Sequence, residues 1–224
     1  MEKIILMIVA VFMFGVCYAQ DGYKINGTVD GLKTGKVLLV TPRNAVQLDT
    51  LAQLEFKGGK FEMEGKVDEP TYAVIMFENQ PCMLPLFLEN VNFKVVANMT
   101  ERAKCKVEGG VEQNVWNQLE GIREKINEKI VELKRMEFDV KNDEDAKVLQ
   151  AKYQEVMDEQ MALENALIKA NPDAAAAANI IFRSIRIHTV KYLIERYNLL
   201  SEKGRATKYG KLVAEGIIAK GGKL

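Results

Sequence analysis

Histidine and serine are almost missing from this chain of 224 residues. One histidine, His188, leaves no His-x-x-x-His pair and no histidine cluster for a zinc or other transition-metal site. The two serines are Ser184 and Ser201. Ser184 precedes His188 by four residues, which would share a helical face, but helix neighbours rarely align a nucleophile with its base. Excess charge is missing too: 31 basic residues balance 31 acidic ones, so nothing electrostatic favours a nucleic acid or an anionic membrane. With these supplies removed, no catalytic, cofactor-binding or metal-binding residue is expected, and the chain is not expected to be an enzyme.

Long apolar runs are also absent, except at the start. Lys3 is followed by an apolar run from Ile4 to Val16, then by Cys17, Tyr18 and Ala19 before Gln20 and Asp21. As a helix this run would span only about 20 Å, against roughly 30 Å of bilayer hydrocarbon. Together with the small Ala19, it reads as a secretory signal peptide over residues 1–19, cleaved before Gln20 and leaving no membrane span. Lipid attachment at Cys17 is the lesser reading, because Val16 stands where a small residue is wanted. Export places Cys82 and Cys105 in an oxidising compartment, where a disulfide is allowed. Their spacing is not diagnostic, and two small buried hydrophobes in strands remain the default alternative.

What is present is periodicity. Val115, Leu119, Ile122, Ile126, Ile130 and Leu133 form one helical stripe. After the polar break Lys141 to Asp145, a second stripe runs Leu149, Tyr153, Val156, Gln160, Leu163, Leu167. Together they predict a helical hairpin over residues 111–170, with Trp116 beside the first stripe as an anchor or, less simply, a stacking surface. Before it, from residue 20 to 110, the period is two. Tyr23, Ile25 and Val29 alternate, Lys36 to Thr41 follows a glycine turn, and Gly58-Gly59 marks a hairpin. Thr71–Phe77, Met83–Leu88, Asn92–Ala97 and Lys104–Glu108 complete about eight short strands, the middle pair joined across Glu89-Asn90. Residues 171–224 read as shorter helices: Asn171 as N-cap ahead of Pro172, an alanine run from Ala174 to Ala178, a start at Thr189, and a last helix from Tyr209 to Ala219. The expected class is α+β: an antiparallel β-sandwich or barrel, then a long helical hairpin and shorter C-terminal helices.

Two near-motifs fail. Gly31 to Lys36 resembles a phosphate loop but has too few residues between its glycines, and Val37 stands where Ser or Thr should bind magnesium. The acidic run Asp139 to Asp145 lacks the glycine of a calcium loop and has Gln150 at the closing position, so it is read as a helix cap. Glu120, Glu124, Glu128 and Glu132 are read as a solvated helix face.

Several short segments, in order, resemble one family. They are Ile25-Asn26-Gly27-Thr28-Val29, Gly35 to Leu39, Phe56 to Gly65, Leu84 to Asn90, Val107 to Gly110, Asn171 to Asp173 and Lys208 to Lys211. The family is the N-terminal domain of unknown function that precedes a thioredoxin-like domain in exported bacterial thiol-disulfide oxidoreductases. The resemblance implies an accessory module standing without the Cys-x-x-Cys domain, so no catalytic residue is carried over. The expected role is an exported, non-catalytic interaction or binding module of the periplasm or cell envelope. Its partner would be an unknown protein, such as an envelope redox protein or a second copy. The alternative is a fragment or partner subunit of an envelope thiol-disulfide oxidoreductase. A third reading, a small-ligand binder, looks to the segment Pro81 to Pro85.

Overall fold

Alternating apolar residues and well-placed turns convert the N-terminal segment into eight strands. The computed structural model describes residues 21–43 and 47–224, so the signal-peptide reading and Cys17 lie outside the described residues. The strands are β1 Tyr23–Asp30, β2 Thr34–Pro42, β3 Leu48–Lys57, β4 Lys60–Gly65, β5 Thr71–Phe77, β6 Met83–Leu88, β7 Asn92–Asn98 and β8 Lys106–Glu108. They form one sheet in the order β6-β5-β2-β3-β4-β1-β7-β8, curled into a nearly closed barrel. Every second side chain points inward, as period two requires, and Ile25, Val37, Leu39, Ile75, Leu86 and Val95 are fully buried there. Phe56, Phe61 and Phe77 meet at the centre with ring centroids 6.0–6.4 Å apart, within the range aromatic pairs favour. Gly58 and Gly59 both adopt φ of +67°, the left-handed conformation that a tight β3–β4 hairpin demands.

Two sequence expectations fail in the sheet. The strands are not all antiparallel, because β1 runs parallel to β7. Nor do β6 and β7 pair across Glu89-Asn90: β6 bonds only β5, while β7 lies between β1 and β8. The reason is local. A two-residue hairpin turn needs positive φ, and among the described non-glycine residues only Asn79 has it. Asn90 instead accepts from the Val67 N–H (3.0 Å) and donates to the Val67 carbonyl (2.8 Å), which carries the chain away from β6.

The hairpin forms as α1 Val111–Met136 and α2 Asp143–Ala170. Asn142 caps α2, its Oδ1 accepting from the backbone N–H of Glu144 and Asp145 at 2.9 Å. The acidic run is therefore a cap. Four helices follow: α3 Ala175–Ser184, α4 Val190–Tyr197, α5 Glu202–Ala206 and α6 Lys208–Ala219. Thr189 caps α4 and Ser201 caps α5. Ala175 to Ala178 are all buried, and these methyl-sized side chains let α3 run through the middle of the helical layer. That layer has its own core, built from Val115, Leu119, Leu167, Ile168, Ile181 and Val213 around Trp116, with Phe87 contributed by the barrel.

Further corrections fall in the helices. Asn171 does not start α3: it closes α2, donating its side-chain amide to the Leu167 carbonyl at 2.9 Å. Ser184 and His188 do not share a helix, since α3 ends at Ser184 and His188 lies in the turn beyond. On α2 the expected Val156 and Leu167 are buried, but Leu163 is exposed, and Glu164 and Ile168 are buried beside the stripe. Gln160, Glu164 and Ile168 step by four, so the buried face widens by one residue at this end of the stripe, with Leu163 left outside it.

Candidate functional site

A barrel that does not quite close leaves two strand edges, β6 and β8, that must be covered. The first turns of α1 do this with side chains. The Phe87 N–H of β6 donates to Gln113 Oε1 at 2.7 Å. Gln113 Nε2 donates to Asn117 Oδ1 at 2.8 Å, and Asn117 Nδ2 donates to the Val107 carbonyl of β8 at 2.9 Å. The relay joins the two edges through one helix, because positions four apart share its face. Trp116 sits beside it, 2% exposed, against Tyr72 (5.0 Å) and Phe87 (6.1 Å), with the guanidinium groups of Arg123 and Arg183 over its ring. Trp116 is thus the anchor.

Two carboxylates hold the helices in place. Gly110, φ +71°, precedes α1 without a capping side chain of its own, and Glu89 supplies the cap: its Oε1 accepts from the Glu112 N–H at 2.8 Å. A Cβ at position 110 would meet that carboxylate at 1.9 Å, so a side chain there would displace the cap. Glu112 in turn caps α3, accepting from the N–H groups of Ala175 (3.0 Å) and Ala176 (2.7 Å). Burial pushes both carboxyls above their ordinary value, while the backbone N–H groups pull the other way. From the C-terminal side, the Tyr72 N–H donates to the Tyr209 hydroxyl at 2.8 Å, and burial raises that phenol to about 12.

Where the barrel edges face each other below α1, a groove of about 330 Å³ remains. Its walls include Met83, Leu84 and Pro85 from the β6 side, Lys106 and Val107 from β8, and Trp116 and Glu120 from α1, with Arg102 at the rim. Apolar walls and a few charged groups suit a ligand or a partner side chain. Cys82 immediately precedes β6 and Cys105 immediately precedes β8, so the strand starts bring the sulfurs to 4.0 Å. Both thiols are free and half-buried. Burial first, and then the neighbouring Cys105, pushes the Cys82 thiol up to about 11, despite Arg102 nearby. Of the segment Pro81 to Pro85, Met83, Leu84 and Pro85 line this groove.

Ser184 and His188 border a different cleft, of about 400 Å³, between α2 and α3. The Ser184 hydroxyl donates to the Ile181 carbonyl at 2.8 Å, which occupies its proton locally. The His188 ring packs at a tilt against Tyr192, centroids 4.5 Å apart, and burial followed by Arg196 lowers its pKa. Behind them, Arg196 Nη2 donates to Glu164 Oε2 at 2.9 Å, with the Arg196 side chain 1% exposed. Among the described residues no cluster of three or more His, Cys, Asp or Glu could hold a metal ion, and no helix is long and apolar enough to cross a membrane.

Sequence reasoning missed Glu89, Glu112, Gln113 and Asn117. The available signal was the pair Gln113 and Asn117, amides four residues apart flanking Trp116 at the very start of a helix that follows the strands without a loop. No curated protein matches the chain significantly. Residues 23–116, which run from β1 to the Trp116 turn of α1, match the family described as a domain of unknown function (DUF4369).

Proposed function

We propose that this protein is an exported, non-catalytic binding module of the bacterial cell envelope, with the groove between β6, β8 and α1 as its binding surface. The observation that supports the reading is the groove itself. It is built at the end of the family-matching segment, and it combines apolar walls with Arg102, Lys106 and Glu120. The occupant is a protein, either an envelope redox protein or a second copy of the chain. Light scattering and capture from envelope extracts test this, each with the native chain and with Arg102→Glu/Lys106→Glu. Association that is lost on charge reversal supports the groove. A chain that stays monomeric and captures nothing, or captures equally well after charge reversal, sinks it.

A second reading has its own observation. The thiols of Cys82 and Cys105 lie 4.0 Å apart at the same groove, which suits a chain acting as part of, or beside, a thiol-disulfide oxidoreductase. Insulin reduction separates the two readings: activity abolished by Cys82→Ser would make the protein an oxidoreductase component. The intact mass of the native envelope protein, compared with that of Gln20–Leu224, would show both the processing and any further domain.

A further inference from the structure

We propose that Cys82 and Cys105 are a disulfide site that joins the two open ends of the sheet, filled by exchange with an external disulfide. This inference rests on the barrel topology and not on the binding role. The sheet has only two ends, and one of these cysteines adjoins each: Cys82 leads into β6 and Cys105 into β8. No backbone ladder connects those strands, and the bridging bonds come from the side chains of Gln113 and Asn117. A covalent link here would do what that relay does, at the other side of the groove.

The sulfurs are placed for it. Cys105 Sγ is held by Asn98, whose backbone N–H donates to it at 3.3 Å and whose carbonyl accepts from it at 3.6 Å. Asn98 is itself buried, with Oδ1 accepting from the backbone of Thr100 and Glu101. Cys82 lies at the end of the turn after β5, between exposed Pro81 and Met83, and packs partly buried against the same barrel core as Cys105. From 4.0 Å, bonding brings the sulfurs together by roughly 2 Å.

The exchange has two steps. The Cys105 thiolate attacks one sulfur of the external disulfide R–S–S–R, that S–S bond breaks, and one thiolate RS⁻ leaves and is protonated. Cys82 then loses its proton and attacks the Cys105 sulfur of the mixed disulfide, expelling the second RS⁻, which takes up a proton. The two protein thiols are oxidised by two electrons and the external disulfide is reduced to two RSH. Cys105 reacts first because it lines the groove and Cys82 does not, and burial, which raises the Cys82 thiol, suits Cys82 to the resolving step.

Equilibrating the reduced full chain, carrying Cys17→Ser, with oxidised glutathione tests the site. The expected product has lost two hydrogens, resists alkylation at both positions and yields a linked Cys82–Cys105 peptide on digestion without reductant. Its melting temperature should rise by roughly 5–10 °C over the reduced form. The same chain with Cys82→Ser should stop at the glutathione adduct of Cys105 and show no such rise. Thiols that stay alkylatable, glutathione retained separately on both cysteines, or a bridge without a rise in melting temperature would each overturn the proposal. A bridged chain that binds nothing would keep this inference and remove the binding reading.

Discussion

Glu112 is a charged residue buried at 8% exposure whose reason for being there is a helix start in another element. Burial raises its carboxyl above the ordinary 4.5. A group raised on folding contributes stability that is complete below its unfolded pKa and lost as the pH climbs through the folded one. Ionised Glu112 at neutral pH is thus tolerated at a cost, which acidification relieves. The melting temperature of the native protein minus that of Glu112→Gln should therefore increase as pH falls from neutral towards 4.5. A difference that stays flat or shrinks would contradict the assignment. The Arg196–Glu164 pair poses the opposite case. Glu164→Ala leaves a guanidinium that is 1% exposed without its carboxylate, and such a loss costs about 3–5 kcal/mol. Chemical denaturation measures it, and the double change Glu164→Leu/Arg196→Met should recover most of the stability. None of these residues stood out in the sequence, because a buried glutamate and a solvated one are spelled alike. Only the partner, Ala175 and Ala176 for Glu112 and Arg196 for Glu164, distinguishes them from Glu124 or Glu128, which are exposed as expected.

At the scale of elements, the hairpin was the most legible part. Its period, its break and its cap at Asn142 are all carried by local sequence, and α1 and α2 begin and end close to where the apolar stripes do. α1 alone is about 39 Å long, and only its first turns reach the barrel. Beyond Ile122 the two helices pack on each other through Ile126, Leu133 and Val156, with a Lys129–Glu159 ion pair and a Tyr153–Glu137 hydrogen bond. Phe138, 90% exposed, lies near the tip. So small a core predicts local opening. Asn142→Ala removes the acceptor for two N–H groups, at a cost of about 1 kcal/mol. Hydrogen exchange should show faster amide exchange confined to the distal hairpin, and a change spread into the barrel would refute that independence. The β6–β7 connection was the least legible element. Strand limits follow from alternation, and Thr71–Phe77 and Met83–Leu88 fall where expected, but pairing depends on distant partners that alternation does not name.

For the whole molecule, the barrel and the helices are not separable layers. Gln113, Asn117, Glu89 and Tyr209 each satisfy a backbone group in another element, so the sheet edge is finished by helices and the helices are capped from the sheet. The end of the family match at residue 116 fits this: the matched segment runs just into the turn of α1 that reaches the barrel edge. A chain cut after Gly110 keeps all eight strands and loses the relay across the seam. It should have exposed apolar surface at Phe87 and a tendency to associate through β6, visible as dye binding and as larger species in light scattering. A well-behaved monomer with a cooperative melt would contradict this.

The parallel pairing of β1 with β7 sets a schedule. Synthesis delivers the chain from its N-terminus, and β1 can pair with β4 once residue 65 is free. Its other edge must wait until residue 98 has emerged, and the seam stays open until Asn117 follows. For that interval the growing chain carries an unpaired strand edge. Escorting factors that bind extended chains would therefore act on β1 before any of the helices exist.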